Sequence, residues 1–236
     1  MQREYLHWES PSLGRRMELL WFGHAGRPVV TFPTSMGRFY QYEDFGVVGA
    51  LADRIEAGRL QLCCLDSVDG ESWYAKDRHP SERVRRHDQY DRYVRDEVFP
   101  FAVSRAGRGD LATFGCSFGA YHALNLACRY PDRVRKAVGF SGIYQMHRFL
   151  DGYWDDLCYF HSPASYVANF DESWVRRVSR VELVVATGEH DSLADANREF
   201  QGVLARKGIP AVSELWPGVW GHDWNFWSEH VRRFLP

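Results

Sequence analysis

Two periods of apolar residues alternate along this chain. Short, nearly solid apolar runs occur at Val29 to Phe32, Leu60 to Leu65, Leu111 to Phe114, Arg135 to Phe140, Val181 to Ala186 and Val212 to Trp216. Each is bounded by Gly, Pro, Asp or Ser, as strands buried on both faces are. Between them the apolar residues recur at helical spacing. Asp44 to Ala57 predicts a helix stopped by Gly58, and Ser81 to about Val103 predicts a long one with Tyr90, Tyr93, Val94, Val98 and Phe101 facing inward. Ala120, Ala123, Leu124, Leu126, Ala127 and Cys128 predict another, ended by Pro131. Leu193 to about Lys207, ended by Gly208, and a last segment through Phe234 complete the set. Ahead of all these, Tyr5 to Glu9 and Met17 to Phe22 predict an antiparallel hairpin, turned through Ser10 to Gly14. Strands alternating with helices predict an α/β fold: a mostly parallel central sheet with an antiparallel N-terminal hairpin and helices on both faces.

One stretch, 143 to 178, has no clear period and is rich in aromatic residues. Such a segment between strands forms a lid or substrate wall, or else a plain packing insertion. No linker or shift in composition divides the 236 residues, so the expectation is one domain over 1–236.

Composition narrows the function. Hydrophobic residues make up 45% and the formal net charge is −2, which predicts a folded globular protein without a nucleic-acid partner. There is no run of transmembrane length and no apolar core in M-Q-R-E-Y-L-H-W, so neither a membrane partner nor a signal peptide is expected. The five cysteines have neither metal spacing nor a disulfide framework, which predicts buried thiols and a cytoplasmic setting. No H-E-x-x-H and no phosphate-binding Gly loop is present, so no metal and no cofactor is expected. Nothing in the sequence opposes assembly into a homo-oligomer.

The chemistry concentrates at G-C-S-F-G, Gly115 to Gly119, between an apolar run and a helical pattern. A G-x-S-x-G turn from strand to helix holds its serine at the tip of a strained turn, clear of the sheet. Ser117 is therefore the candidate nucleophile. A serine hydroxyl needs a base, and the base needs a third group to orient it. In the chain order Ser, acid, His, the candidates are Asp191, just beyond the run Val181 to Ala186, and His222, in the Gly-rich loop after the last strand. Glu189 and Asp195 compete with Asp191, and Asp223 reads as a cap of the terminal helix. The expected oxyanion hole combines the N–H of Phe118 with one from the loop after the third strand, Pro33 to Gly37. That loop lacks the His-Gly of many lipases, and either Ser35 or Met36 could be the donor.

Taken together these residues resemble the esterase branch of the α/β-hydrolases, which includes esterase D (S-formylglutathione hydrolase), feruloyl esterases and mycolyltransferases. A set of bacterial esterase-like proteins is more similar still, through F-P-T-S-M-G-R-F-Y-Q-Y-E-D-F-G, L-D-S-V-D-G-E-S-W-Y, G-C-S-F-G-A-Y-H-A and G-H-D-W. The resemblance implies an α/β-hydrolase fold, a triad of Ser117, Asp191 and His222, and a site bordered by Trp73 and Tyr74. The activity it implies is hydrolysis of a small-molecule carboxylic ester. Acyl transfer by the same triad and non-catalytic ligand binding on the same fold are the alternatives.

Overall fold

The computed structural model describes residues 1–235. One eight-stranded sheet runs through it: β1 (Arg3–Ser10), β2 (Arg15–Phe22), β3 (Arg27–Phe32), β4 (Leu60–Leu65), β5 (Ala112–Cys116), β6 (Lys136–Phe140), β7 (Glu182–Gly188) and β8 (Ala211–Trp216). Their spatial order is β1-β2-β4-β3-β5-β6-β7-β8. The β1–β2 hairpin is antiparallel and β2 pairs antiparallel with β4, while every pairing from β4 to β8 is parallel. This is the architecture the alternating pattern predicts.

The solid apolar runs follow from burial on both faces. In β4, Leu60, Leu62 and Cys64 join one core cluster, whereas Cys63 and Leu65 join the other. Tyr42, Val47, Leu51, Ile55, Trp227 and Val231 cover the first face. Tyr90, Tyr93, Val94 and Val98 cover the second, together with the helix Phe118–Arg129. Side chains of Leu size contribute roughly 1.5–3 kcal/mol each on full burial, so the two layers are held mainly by this packing.

Two helix expectations need correction. The segment Asp44 to Ala57 is not one helix but three short pieces, Gln41–Asp44, Val47–Ala50 and Ala52–Glu56. Gly46 stands between the first two at φ 84°, a left-handed backbone that glycine takes without strain and that ends a helix. The long helix after Ser81 begins at Pro80 and runs to Ala106, with a π-helical stretch at Val94–Val98. Pro100 has no N–H, and its ring conflicts with the carbonyl four residues earlier, so the wider turn absorbs the mismatch.

The aperiodic stretch contains a 3₁₀ turn at His147–Phe149 and short helices at Asp156–Phe160, Pro163–Val167 and Glu172–Val178. Tyr166, Val167 and Val178 are core residues. Among the described residues no helix is long and apolar enough to cross a membrane.

Parallel strands put their carboxyl ends on one edge. There lie the loops after β3, β5, β6, β7 and β8, carrying Ser35, Ser117, Ser141, Asp191 and His222.

Candidate active site

Ser117 follows β5 directly and precedes the helix Phe118–Arg129. Its backbone sits at φ 55° and ψ −121°, a conformation costly for any residue with a side chain. Its N–H donates to the carbonyl of Phe140 at 2.8 Å, which ties the turn to β6. The flanking glycines are demanded by space. A Cβ on Gly115 would lie 2.1 Å from backbone atoms of Gly119, and one on Gly119 would lie 2.2 Å from the carbonyl oxygen of Phe32. The strained serine therefore stands at a turn pressed between its own helix and the end of β3.

Asp191 lies three residues past β7, and His222 lies in the loop after β8. His222 Nδ1 and Asp191 Oδ1 are 2.9 Å apart. The Asp191 carboxylate also accepts the Thr187 hydroxyl at 3.0 Å and the Leu193 N–H at 2.7 Å. Burial alone would raise its pKa, but the hydrogen bonds from His222 and the Leu193 N–H hold it below the usual carboxylate range. The acid is thus buried, ionised and fixed, while His222 keeps 24% of its side-chain surface exposed. The competing acids are engaged elsewhere: Glu189 accepts the N–H of Gly218, and Asp195 pairs with Arg198. Asp223 caps the final helix through the N–H of Phe226, as its position predicts.

Ser117 and His222 line the same cleft, about 330 Å³ in volume, with Phe118, Ser35 and Tyr74. Phe118 is the first residue of its helix, so its N–H has no partner within the helix. The loop after β3 brings Ser35 to the cleft and leaves Met36 outside its lining. The N–H of Met36 is already given to the Asp69 carboxylate at 3.0 Å, and its side chain is exposed. Of the two residues the sequence left open, Ser35 is the one that lines the cleft. Tyr74 borders the cleft and its hydroxyl donates to Ser35 Oγ at 2.7 Å. Trp73 does not line it. It is fully buried behind Tyr74, packed against His87, Tyr121 and Phe149, because adjacent residues of the loop point to opposite sides.

Four further residues escaped the sequence reading. Ser141, at φ 55° just past β6, donates its hydroxyl to the carbonyl of Gly221 at 3.0 Å and accepts the Trp227 indole N–H at 3.1 Å. It pins the loop that carries His222. Thr187 and Asp69 are buried and hold Asp191 and the loop after β3, respectively. Arg148 lines the cleft from the aperiodic stretch. Position just beyond a strand end was the signal available for Ser141; for the others no local signal existed.

A strained serine, an oriented imidazole and backbone donors around one cleft can support acyl chemistry. The Esterase family, described as "Putative esterase", matches residues 41–233 of the chain. The chain belongs to that family. It is therefore an enzyme of the esterase class, and the resemblance read from its motifs is upheld.

Solved structures share its fold. A ferulic acid esterase superposes with a TM-score of 0.79 at 18% identity, covering 100% of this chain and 96% of its own. An S-formylglutathione hydrolase from Agrobacterium tumefaciens gives 0.73 at 15% identity, with 99% and 95% covered. MPT51 from Mycobacterium tuberculosis gives 0.72 at 16% identity, with 100% of each chain covered. All share the α/β-hydrolase fold. No curated protein matches the sequence of this chain.

Proposed function

We propose that the protein hydrolyses carboxylic esters through an acyl-enzyme on Ser117. The hydroxyl oxygen attacks the acyl carbon while its proton passes to Nε2 of His222. Asp191 holds Nδ1 and stabilises the imidazolium. The carbonyl oxygen, now an anion, faces the N–H groups of Phe118 and Ser35, with the positive end of the helix Phe118–Arg129 behind them. Collapse of this intermediate breaks the C–O bond, and the imidazolium returns its proton to the departing alkoxide. Water then attacks the acyl carbon, gives a proton to His222, and the acid leaves as Ser117 is restored. Solvent reaches the imidazole, which favours hydrolysis over transfer to a second alcohol.

The observation that carries this reading is the hydrogen-bonded pair of His222 and Asp191 sharing one cleft with a serine in a strained strand-to-helix turn. Ser117→Ala is expected to lower kcat by about 10³–10⁶-fold on p-nitrophenyl acetate. A fluorophosphonate probe should label the parent protein at Ser117 and leave the variant unlabelled. Near-parent turnover by the variant, or failure of the parent to label, overturns the mechanism.

A further inference from the structure

Among the described residues, the cleft around Ser117 has no Asp, Glu or Lys in its lining, and its one guanidinium is Arg148. The two carboxylates nearest Arg148 in the chain are already engaged. Asp151 pairs with Lys76 and with the buried Arg83, and Asp155 accepts the Tyr153 hydroxyl and the Cys158 N–H. Asp191 lies behind the imidazole, its side chain fully buried. Among the described residues Arg148 has no ion-pair partner; its guanidinium rests 5.4 Å from the centroid of the Phe149 ring.

The backbone beneath it is fixed. Arg83 donates to the carbonyl of Phe149 at 2.9 Å, and the Phe149 ring packs on Phe118 at 5.5 Å and Tyr74 at 5.3 Å. Arg148 is exposed at the edge of the cleft, and its positive charge shares the lining with Ser117 and with Phe118, Ile143, Phe149 and Leu193. A guanidinium fork matches a carboxylate in two parallel hydrogen bonds, and the opposite charges make such bonds roughly twice as strong as neutral ones.

We propose that Arg148 forms an anion subsite and that the preferred esters carry a carboxylate besides the ester group. The inference rests on the ester-hydrolase reading above and narrows its substrate class. Carboxylate-bearing esters bind with the charge on Arg148 and the scissile carbonyl at Ser117, whether the charge belongs to the acyl or to the alcohol part.

Two matched pairs of esters test it. p-Nitrophenyl hydrogen glutarate against p-nitrophenyl valerate places the charge on the acyl side. 4-Acetoxybenzoate against phenyl acetate places it on the alcohol side. In at least one pair the anionic ester should be preferred in kcat/KM by about tenfold, the scale of one charge-assisted hydrogen bond. The preference should shrink at about 0.5 M salt, where exposed charges are screened. Arg148→Gln should bring the ratio to about one, and Arg148→Lys should retain part of it. A ratio within one preparation does not depend on how much of it is folded. Ratios near one in both pairs for the parent protein, or an unchanged ratio in Arg148→Gln, overturn the subsite. Hydrolysis that survives Ser117→Ala instead removes the reading beneath it, whereas hydrolysis that needs Ser117 and ignores charge removes the subsite alone.

Discussion

The Asp69 carboxylate accepts the backbone N–H of Met36 at 3.0 Å, joining the loop after β4 to the loop after β3. Asp69 is buried, with its other oxygen 3.5 Å from Nε2 of His122 on the helix that follows Ser117. It therefore fixes the loop that brings Ser35 to the cleft, without touching the cleft itself. Asp69→Ala should lower kcat by about 10²-fold with little change in KM, because a displaced oxyanion donor weakens the transition state more than substrate binding. Asp69→Asn keeps an acceptor and should recover much of that loss. Steady-state kinetics on the two variants decide it; equal losses in kcat and KM argue against this role.

The elbow glycines give a second expectation. Gly115→Ala places a Cβ against the backbone of Gly119, where nothing flexible can yield. Overpacking of this kind costs about 1–3 kcal/mol. Both Tm and activity should fall, the activity further, since the turn that aims Ser117 must open. Gly109→Ala, with no atom within 4 Å of the added Cβ, serves as the neutral control. Thermal melts and turnover measured side by side test the contrast.

Acid should destabilise the fold at mildly low pH. Burial, with the charges of His161, His122 and Arg129, holds the pKa of His87 well below its ordinary value. His161 is lowered in the same direction by burial, against the opposing effect of Asp88. The unfolded chain takes up protons at these histidines once pH falls below about 6.5, while the native state does not. Their contribution is complete above that pH and is lost as pH drops through it. The urea midpoint should fall between pH 7.5 and pH 5.5, and His87→Gln should flatten the slope.

The thiols should be silent in the native protein. All five cysteines are free and buried, and burial pushes Cys64 and Cys128 up to about 12. At pH 8 almost no thiolate exists at these positions, and the thiolate is the reactive form. Ellman's reagent should find no rapidly reacting thiol until denaturant is added, and five afterwards. The same shift has a stability consequence of opposite sense to that of the histidines. Stability is full below the unfolded thiol value near 8.5 and falls as pH rises from there toward about 12.

Much of this was legible in the residues. The run Leu60 to Leu65 coincides with β4 because every position in it is buried. The β5 run extends two residues beyond Phe114, since Gly115 and Cys116 remain extended up to the turn. Ser117, Asp191 and His222 could be proposed because each follows a strand end, and strand ends collect at one edge. What stayed hidden depends on contacts between distant segments. Asp69 gains its role only from its partner Met36, thirty-three positions earlier, and Trp73, implied at the border of the site, has its ring buried. Gly46 and Pro100 carried local signals that were misread, each a break inside an apparent helix.

Arg83 leaves a constraint on how this protein can diversify. Its buried guanidinium takes the carbonyls of Ala75, Lys76 and Phe149 together with the Asp151 carboxylate. Two loops that differ by some seventy positions in the chain thus share one cation. Grafting either loop alone from a relative would strand a positive charge in the interior, so inheritance and engineering alike must exchange them as a pair.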